Sequence, residues 1–204
     1  PLHQLKSKED TKVALEMYEQ ILAMTSVSLK AAGRRLSLTN MRSKRGRQAG
    51  EGSRMEEAVH RLCIAVHGRP ALFDECVAQI LHIMHRSRPA GSLGKLWQLL
   101  AVILGLRKPG AELGVVLGFW LVEMAQGRYQ QPASFCLHTL QRTTSRKAPR
   151  QLPMSLAEVS ATLQYAPFEV LVTLPRSSGR MIEVDASTTM EELMHTFFDE
   201  VAIP

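Results

Sequence analysis

Residues 91–96 read Gly91-Ser-Leu-Gly94-Lys95-Leu96, a glycine-bearing stretch ending near a lysine, and loops of that kind can cradle phosphate on their amides. The chemistry fails at two positions. Pro89 stands where the first glycine is required, and Leu96 replaces the Ser or Thr that would hold Mg²⁺, so the stretch reads as a turn ahead of a helix. His82 and His85 share a helical face at i, i+3 and present two imidazoles, but no third ligand lies close in sequence and Met84 beside them is core-like. Cys76 follows Asp74 and Glu75, and that acidic setting disfavours a thiolate, so it reads as a packed thiol. Pairings such as Glu57 with His60 are what a helical surface gives by chance. No residue set here composes a nucleophile, a metal centre or a cofactor cradle, and the expected role is non-enzymatic, with no cofactor.

The elements that would position any site are mostly helical. Val59, Leu62, Cys63 and Val66 fall at i, i+3, i+4 and i+7, and Val77, Ile80, Leu81 and Met84 repeat the pattern, so each set makes one apolar stripe. Pro70 between them suits a first helical turn, where its missing N–H is no loss. An earlier helix is expected over about Lys12 to Met24, and a later one after Pro132 carrying Leu137 and Leu140. Pro153 precedes Ser155-Leu-Ala-Glu158, a capping-box spacing that leads into Val159 and Leu163. Six or seven helices with short connections imply antiparallel neighbours. Trp97 and Trp120 sit in the two most apolar of them and read as core anchors.

Near Ala166 the apolar period falls from about 3.6 to 2. Phe168, Val170, Val172 and Leu174 alternate, Pro175-Arg-Ser-Ser-Gly179 supplies turn residues, and Ile182 and Val184 alternate again, which predicts a hairpin. Thr188 and Glu191 then stand at capping-box spacing before Met190, Leu193, Met194 and Phe197. The predicted fold is mainly α: a multi-helix bundle followed by a truncated, ubiquitin-like β-hairpin plus helix. Its parts are a flank over 1–11, a helical domain over 12–165 and a partial lobe over 166–204. Pro1 at the start and Ile203-Pro204 at the end read as cuts through a longer protein.

Composition narrows the class. The chain has 204 residues, 45% hydrophobic and 22% charged, with a formal net charge of +6, an ordinary composition for a folded domain. Three cysteines, Cys63, Cys76 and Cys136, are odd in number and set in apolar helical patterns, which suits reduced thiols and a cytoplasmic site. The apolar runs Leu96 to Leu106 and Leu113 to Met124 are each shorter than the roughly 20 residues of a bilayer span. Arg107, Lys108, Pro109 and Glu112 divide them, as a turn between two buried helices would.

Several segments, in order, resemble a known family. Ala14-Leu-Glu-Met-Tyr-Glu-Gln-Ile-Leu22, Arg69-Pro-Ala-Leu-Phe-Asp-Glu-Cys-Val-Ala-Gln79, Leu96-Trp-Gln-Leu-Leu100, Phe135-Cys-Leu-His-Thr-Leu-Gln-Arg142 and Pro153-x-Ser155-x-x-Glu158 are similar to the myosin-tail-homology-four (MyTH4) domain. In that family a FERM domain with a ubiquitin-like first lobe commonly follows, and Phe168 to Pro204 resembles the first half of such a lobe. Overall the chain resembles unconventional myosin tails of class fifteen or seven; plant kinesins and some pleckstrin-homology adaptors also carry the tandem. The resemblance implies a cytoskeletal interaction module that binds microtubules or another filament, with cargo proteins taken through the FERM portion.

One stretch departs from the family pattern. Between Thr25 and Arg54 stand Lys30, Arg34, Arg35, Arg42, Lys44, Arg45, Arg47 and Arg54, with Glu51 the only acid, and the run reads as a long loop or insertion. It is either a solvated linker or an electrostatic footprint for an acidic filament, an anionic membrane or nucleic acid. It lacks aromatic residues, which argues against nucleic acid bound by stacking. The expected basic surface joins Arg34, Arg35, Arg42, Lys44, Arg45 and Arg47 to the later cluster of Arg142, Arg146, Lys147 and Arg150. Arg34-Arg-Leu-Ser37 has the spacing that basic-directed kinases favour, and a phosphate on Ser37 would add about −1.5 to −2 charges there. The alternative reading is an independent helical adaptor whose basic loop binds anionic membrane lipids.

Overall fold

The computed structural model describes residues 5, 7–33, 44–86, 90–146, 148–173 and 179–201, with side chains described for all of these except 25–33, 44–53, 90–91 and 200–201. Seven helices come first among them: α1 (Lys8–Gly33), α2 (Lys44–Gly68), α3 (Ala71–Arg86), α4 (Ala90–Leu106), α5 (Ala111–Ala125), α6 (Gln130–Ser145) and α7 (Leu156–Leu163). A hairpin of β1 (Phe168–Val172) and β2 (Arg180–Val184) follows, and then α8 (Met190–Val201). This is the mainly helical bundle with an appended hairpin and helix that the change of period predicts.

Helix α4 is the axis of the bundle. Its sequence is apolar all round, and Leu96, Trp97, Leu100, Val102, Ile103 and Leu104 are buried among α1, α2, α3, α6 and α7. Each surrounding helix turns one stripe toward it: Met17 and Ile21 from α1, Leu62 and Val66 from α2, Phe73 and Ile80 from α3. Polar side chains tie the layers at their edges. Gln79 donates to the Ala14 carbonyl at 3.1 Å, Gln98 to the Leu163 carbonyl at 2.6 Å, and Ser160 to Glu56 at 3.0 Å. All three cysteines are free and buried, and burial pushes the Cys63 thiol up to about 12, so these thiols are packing groups.

Some elements differ from the sequence reading. The run from Thr25 to Arg54 is not one long loop: α1 continues to Gly33 and α2 begins at Lys44. Leu29, Ala31 and Ala32 on one side, and Arg47, Gln48 and Ala49 on the other, are good helix formers, so charge repulsion does not prevent helix here. Gly91 to Leu96 lies inside α4 instead of forming a turn before it. The capping box of α8 is set one residue later than expected. Thr189 donates its amide (2.7 Å) and hydroxyl (3.0 Å) to Glu192, and the Glu192 amide donates back to Thr189 Oγ1 at 3.2 Å. Thr188 is diverted, because its hydroxyl accepts the Asp185 amide at 3.0 Å and donates to the Asp185 carboxylate at 3.2 Å.

The hairpin is antiparallel, with Phe168 opposite Val184, Val170 opposite Ile182 and Val172 opposite Arg180. Ile182, Val184 and Phe197 of α8 form its small separate core. Between bundle and hairpin the chain reverses at Tyr165, whose φ of 54° is left-handed. Two bonds close the end of α7 there: the Tyr165 amide donates to the Thr162 carbonyl and the Ala166 amide to the Ala161 carbonyl, each at 3.0 Å. The Tyr165 ring meets Phe135 edge-on, with centroids 5.2 Å apart, so a bulky residue fills a position that usually favours glycine.

Candidate functional site

The later basic cluster begins at the C-terminal end of α6 and continues into the loop toward α7. Arg142, Arg146 and Arg150 are spaced four apart, and all three reach the turn between β2 and α8. Arg142 donates to Glu192 at 2.7 Å and to the Ser187 carbonyl at 3.5 Å. Arg146 donates to the Ala186 carbonyl at 3.0 Å and to the Gly105 carbonyl of α4 at 3.3 Å. Arg150 donates to the same Ala186 carbonyl at 3.0 Å, to the Leu152 carbonyl at 2.9 Å, and pairs with Glu158, the capping-box residue of α7.

The turn they grip is itself held by Asp185, which accepts the Ser187 amide and hydroxyl, both at 2.6 Å. Burial raises the Asp185 carboxyl, but the bonds from Ser187, the Arg142 charge and the Thr188 hydroxyl outweigh it and hold the group below its ordinary 3.8. The Thr189 amide, ahead of all other influences, likewise holds Glu192 below its ordinary 4.5. Burial, then its two arginine neighbours, pushes Arg146 down. Both carboxylates are lowered in the folded state, so their contribution is complete above the ordinary carboxylate range and fades as pH falls below 4.5 and then 3.8. Amides 185–192 are therefore expected to lose exchange protection on acidification before those of α4. Simultaneous loss in both regions would show that the turn carries no separate acid sensitivity.

The expected basic surface is placed as follows. Arg142, Arg146 and Arg150 are engaged in this internal joint, where carbonyls and carboxylates of the same chain take donors from each. Arg34, Arg35, Arg42, Lys147 and Ser37 lie outside the described residues; Lys44, Arg45 and Arg47 stand in the first turn of α2. The structure thus brings together three of the predicted residues. Sequence reasoning missed their acceptors, since a main-chain carbonyl some forty positions away leaves no mark in residue type. It also missed an open cleft of about 950 Å³, whose lining includes Arg107, Lys108, Asp10 and Asp74. A second cleft of about 700 Å³ runs along the joint itself.

His82 Nε2 accepts a 3.3 Å bond from the Arg86 guanidinium, and among the described residues no group of three His, Cys, Asp or Glu is arranged to hold a metal. No helix among them is long and apolar enough to cross a membrane.

The bundle, its landmark residues and the joint meet an independent finding: the profile of the MyTH4 domain matches residues 59–161, half of the chain. The chain belongs to the MyTH4 domain family. Its MyTH4 fold is similar to the solved MyTH4-FERM MF1 domain of Dictyostelium discoideum myosin VII, with a TM-score of 0.76, 18% identity, and coverage of 97% of this chain and 37% of that one. It is also similar to the human myosin 7b C-terminal MyTH4-FERM domain solved in complex with the harmonin-a PDZ3 domain, with a TM-score of 0.68, 21% identity, and coverage of 94% and 35%. The Dictyostelium myosin VII MF2 domain matches with a TM-score of 0.57 at 14% identity. At these identities the likeness is one of fold, and this MyTH4 chain spans little more than a third of the chains it resembles. Coverage of 97% carries the likeness past the MyTH4 match into the hairpin and α8, consistent with the opening of a FERM domain.

Proposed function

We propose that this MyTH4 chain is a non-catalytic interaction module of an unconventional myosin tail, working in the cytoplasm on the cytoskeleton, and that it binds microtubules and cargo together with an adjoining FERM domain. The observation that carries the reading is the joint. Three arginines fasten the hairpin lobe to the bundle through main-chain carbonyls, the construction expected of a platform whose two parts act as one body. The human myosin 7b relative was solved with a PDZ domain bound, which supports protein partners for this architecture.

In this reading the filament-facing charge comes from Arg34, Arg35, Arg42, Lys44, Arg45 and Arg47, with a phosphate on Ser37 subtracting from it. With a Debye length of about 8 Å at physiological salt, such binding weakens steeply as salt rises. The test is co-sedimentation of the 204-residue chain with microtubules across a salt series. Pelleting is expected to fall with salt and to be lost when Arg34, Arg35, Lys44 and Arg45 are reversed in charge. Unchanged pelleting of that variant removes the segment from the site. Stronger flotation with anionic liposomes than pelleting with microtubules favours the lipid-binding alternative.

A further inference from the structure

Helices α4 and α5 are equally apolar in sequence, yet only α4 is enclosed. Helix α5 lies along α6, with Leu117 and Leu121 buried and Trp120 reaching back to stack on Trp97 at 5.1 Å. Its opposite face is bare: Val115 is 60% exposed, Val116 66%, Phe119 76% and Val122 43%. An apolar helix of this kind is normally covered on every side. Gly118 lies at the edge of the bare face, between Leu121 and Val122 around the helix, and a Cβ built there would meet nothing within 4 Å, so that edge is open to a neighbour.

Charge says what fits. Glu112 and Glu123 are the only ionised side chains of α5, and neither is paired among the described residues. They are eleven residues apart, three turns, and so lie on one flank in the row Glu112, Val116, Phe119, Glu123 (i, i+4, i+7, i+11), about 16 Å from end to end at 1.5 Å per residue. The bare face is therefore an apolar strip with a carboxylate at each end, on a chain whose net charge is +6. A second copy fits poorly. An antiparallel pair centred between positions 117 and 118, the midpoint of the row, brings Glu112 of one copy against Glu123 of the other, like charge on like. We infer that this α5 face docks a basic amphipathic helix of a protein partner, one with an apolar stripe at i, i+4, i+7 and lysine or arginine at both ends of it. The stripe covers Val115, Phe119 and Val122, and its cations meet Glu112 and Glu123.

The proposal uses none of the residues proposed for filaments, so either reading can fail without the other. The test uses two synthetic helical peptides identical in their leucine stripe, one bearing lysines and the other glutamates at positions eleven apart, titrated by fluorescence anisotropy against the whole chain. The lysine peptide is expected to bind about tenfold more tightly than the glutamate peptide, the sum of two exposed ion pairs. Phe119→Ser, at an exposed position that leaves the bundle intact, abolishes binding of both. Glu112→Lys with Glu123→Lys reverses the preference. Equal binding of the two peptides, binding that survives Phe119→Ser, or an unchanged preference in the double variant overturns the proposal. So does self-association of the unmodified chain, seen by sedimentation equilibrium, that Phe119→Ser removes.

Discussion

Replacing Trp97 by alanine is expected to destabilise the bundle by about 3–5 kcal/mol, the range for truncating a large buried aromatic. The indole is 1% exposed, lies nearly parallel to Trp120 (9°) and tilts against Tyr129 at 5.7 Å, so its removal opens a cavity where α4, α5 and α6 meet. That loss is a large fraction of the roughly 5–15 kcal/mol that holds a typical domain folded. Trp97→Phe is expected to cost far less. Among the described residues the indole Nε1–H has no hydrogen-bond partner, so phenylalanine gives up area and stacking but removes a buried orphan donor. Urea unfolding of the two variants separates these contributions. Equal losses would mean that the orphan donor carries no penalty and that a partner for it exists in solution.

The second large effect is expected at Arg150. Its guanidinium serves Glu158, the Leu152 carbonyl and the Ala186 carbonyl at once, and the paired side chains are only 18% and 14% exposed. Breaking a fully buried ion pair costs about 3–5 kcal/mol. Here residual solvent, and the bond Glu158 keeps to the Ser155 amide at 2.7 Å, lower the expected cost of Arg150→Ala to about 2–3 kcal/mol. Arg150→Lys should rescue little, because a single ammonium cannot span three acceptors that a planar fork reaches together. Hydrogen exchange distinguishes a joint from general stability: amides from Asp185 to Val201 should lose protection while those of α3 and α4 keep theirs. A uniform loss across the chain would mean that Arg150 supports the bundle alone.

What could be read from residue order alone follows from where each interaction is encoded. The stripes at Val59 to Val66 and Val77 to Met84 are local periodicities, and they gave α2 and α3 directly. The Ser155 to Glu158 box is four residues long and complete in itself, and the structure contains it. The α8 box is ambiguous because Asp185-Ala-Ser-Thr-Thr-Met-Glu-Glu holds two overlapping solutions, Thr188 with Glu191 and Thr189 with Glu192. Asp185 decides between them by engaging Thr188, a competition that spacing does not reveal. The arginines were legible as charge and not as contacts. Arg142, Arg146 and Arg150 attract attention as a basic cluster, but their acceptors at Ala186 and Ser187 are backbone atoms supplied by another lobe. The bare α5 face was hidden for a different reason: a strip of valine and phenylalanine looks the same in sequence whether a neighbour covers it or not.

The left-handed residue at Tyr165 closes α7, and only Ala166 and Pro167 separate it from the first residue of β1. So short a tether confines the hairpin lobe near its three arginines at an effective concentration on the order of millimolar or above. Contacts too weak to hold two free molecules together then suffice, and a detached lobe is recaptured by its own chain before a competitor arrives. Lengthening the tether, with no contact changed, would dilute the lobe and let the same arginines turn to other ligands.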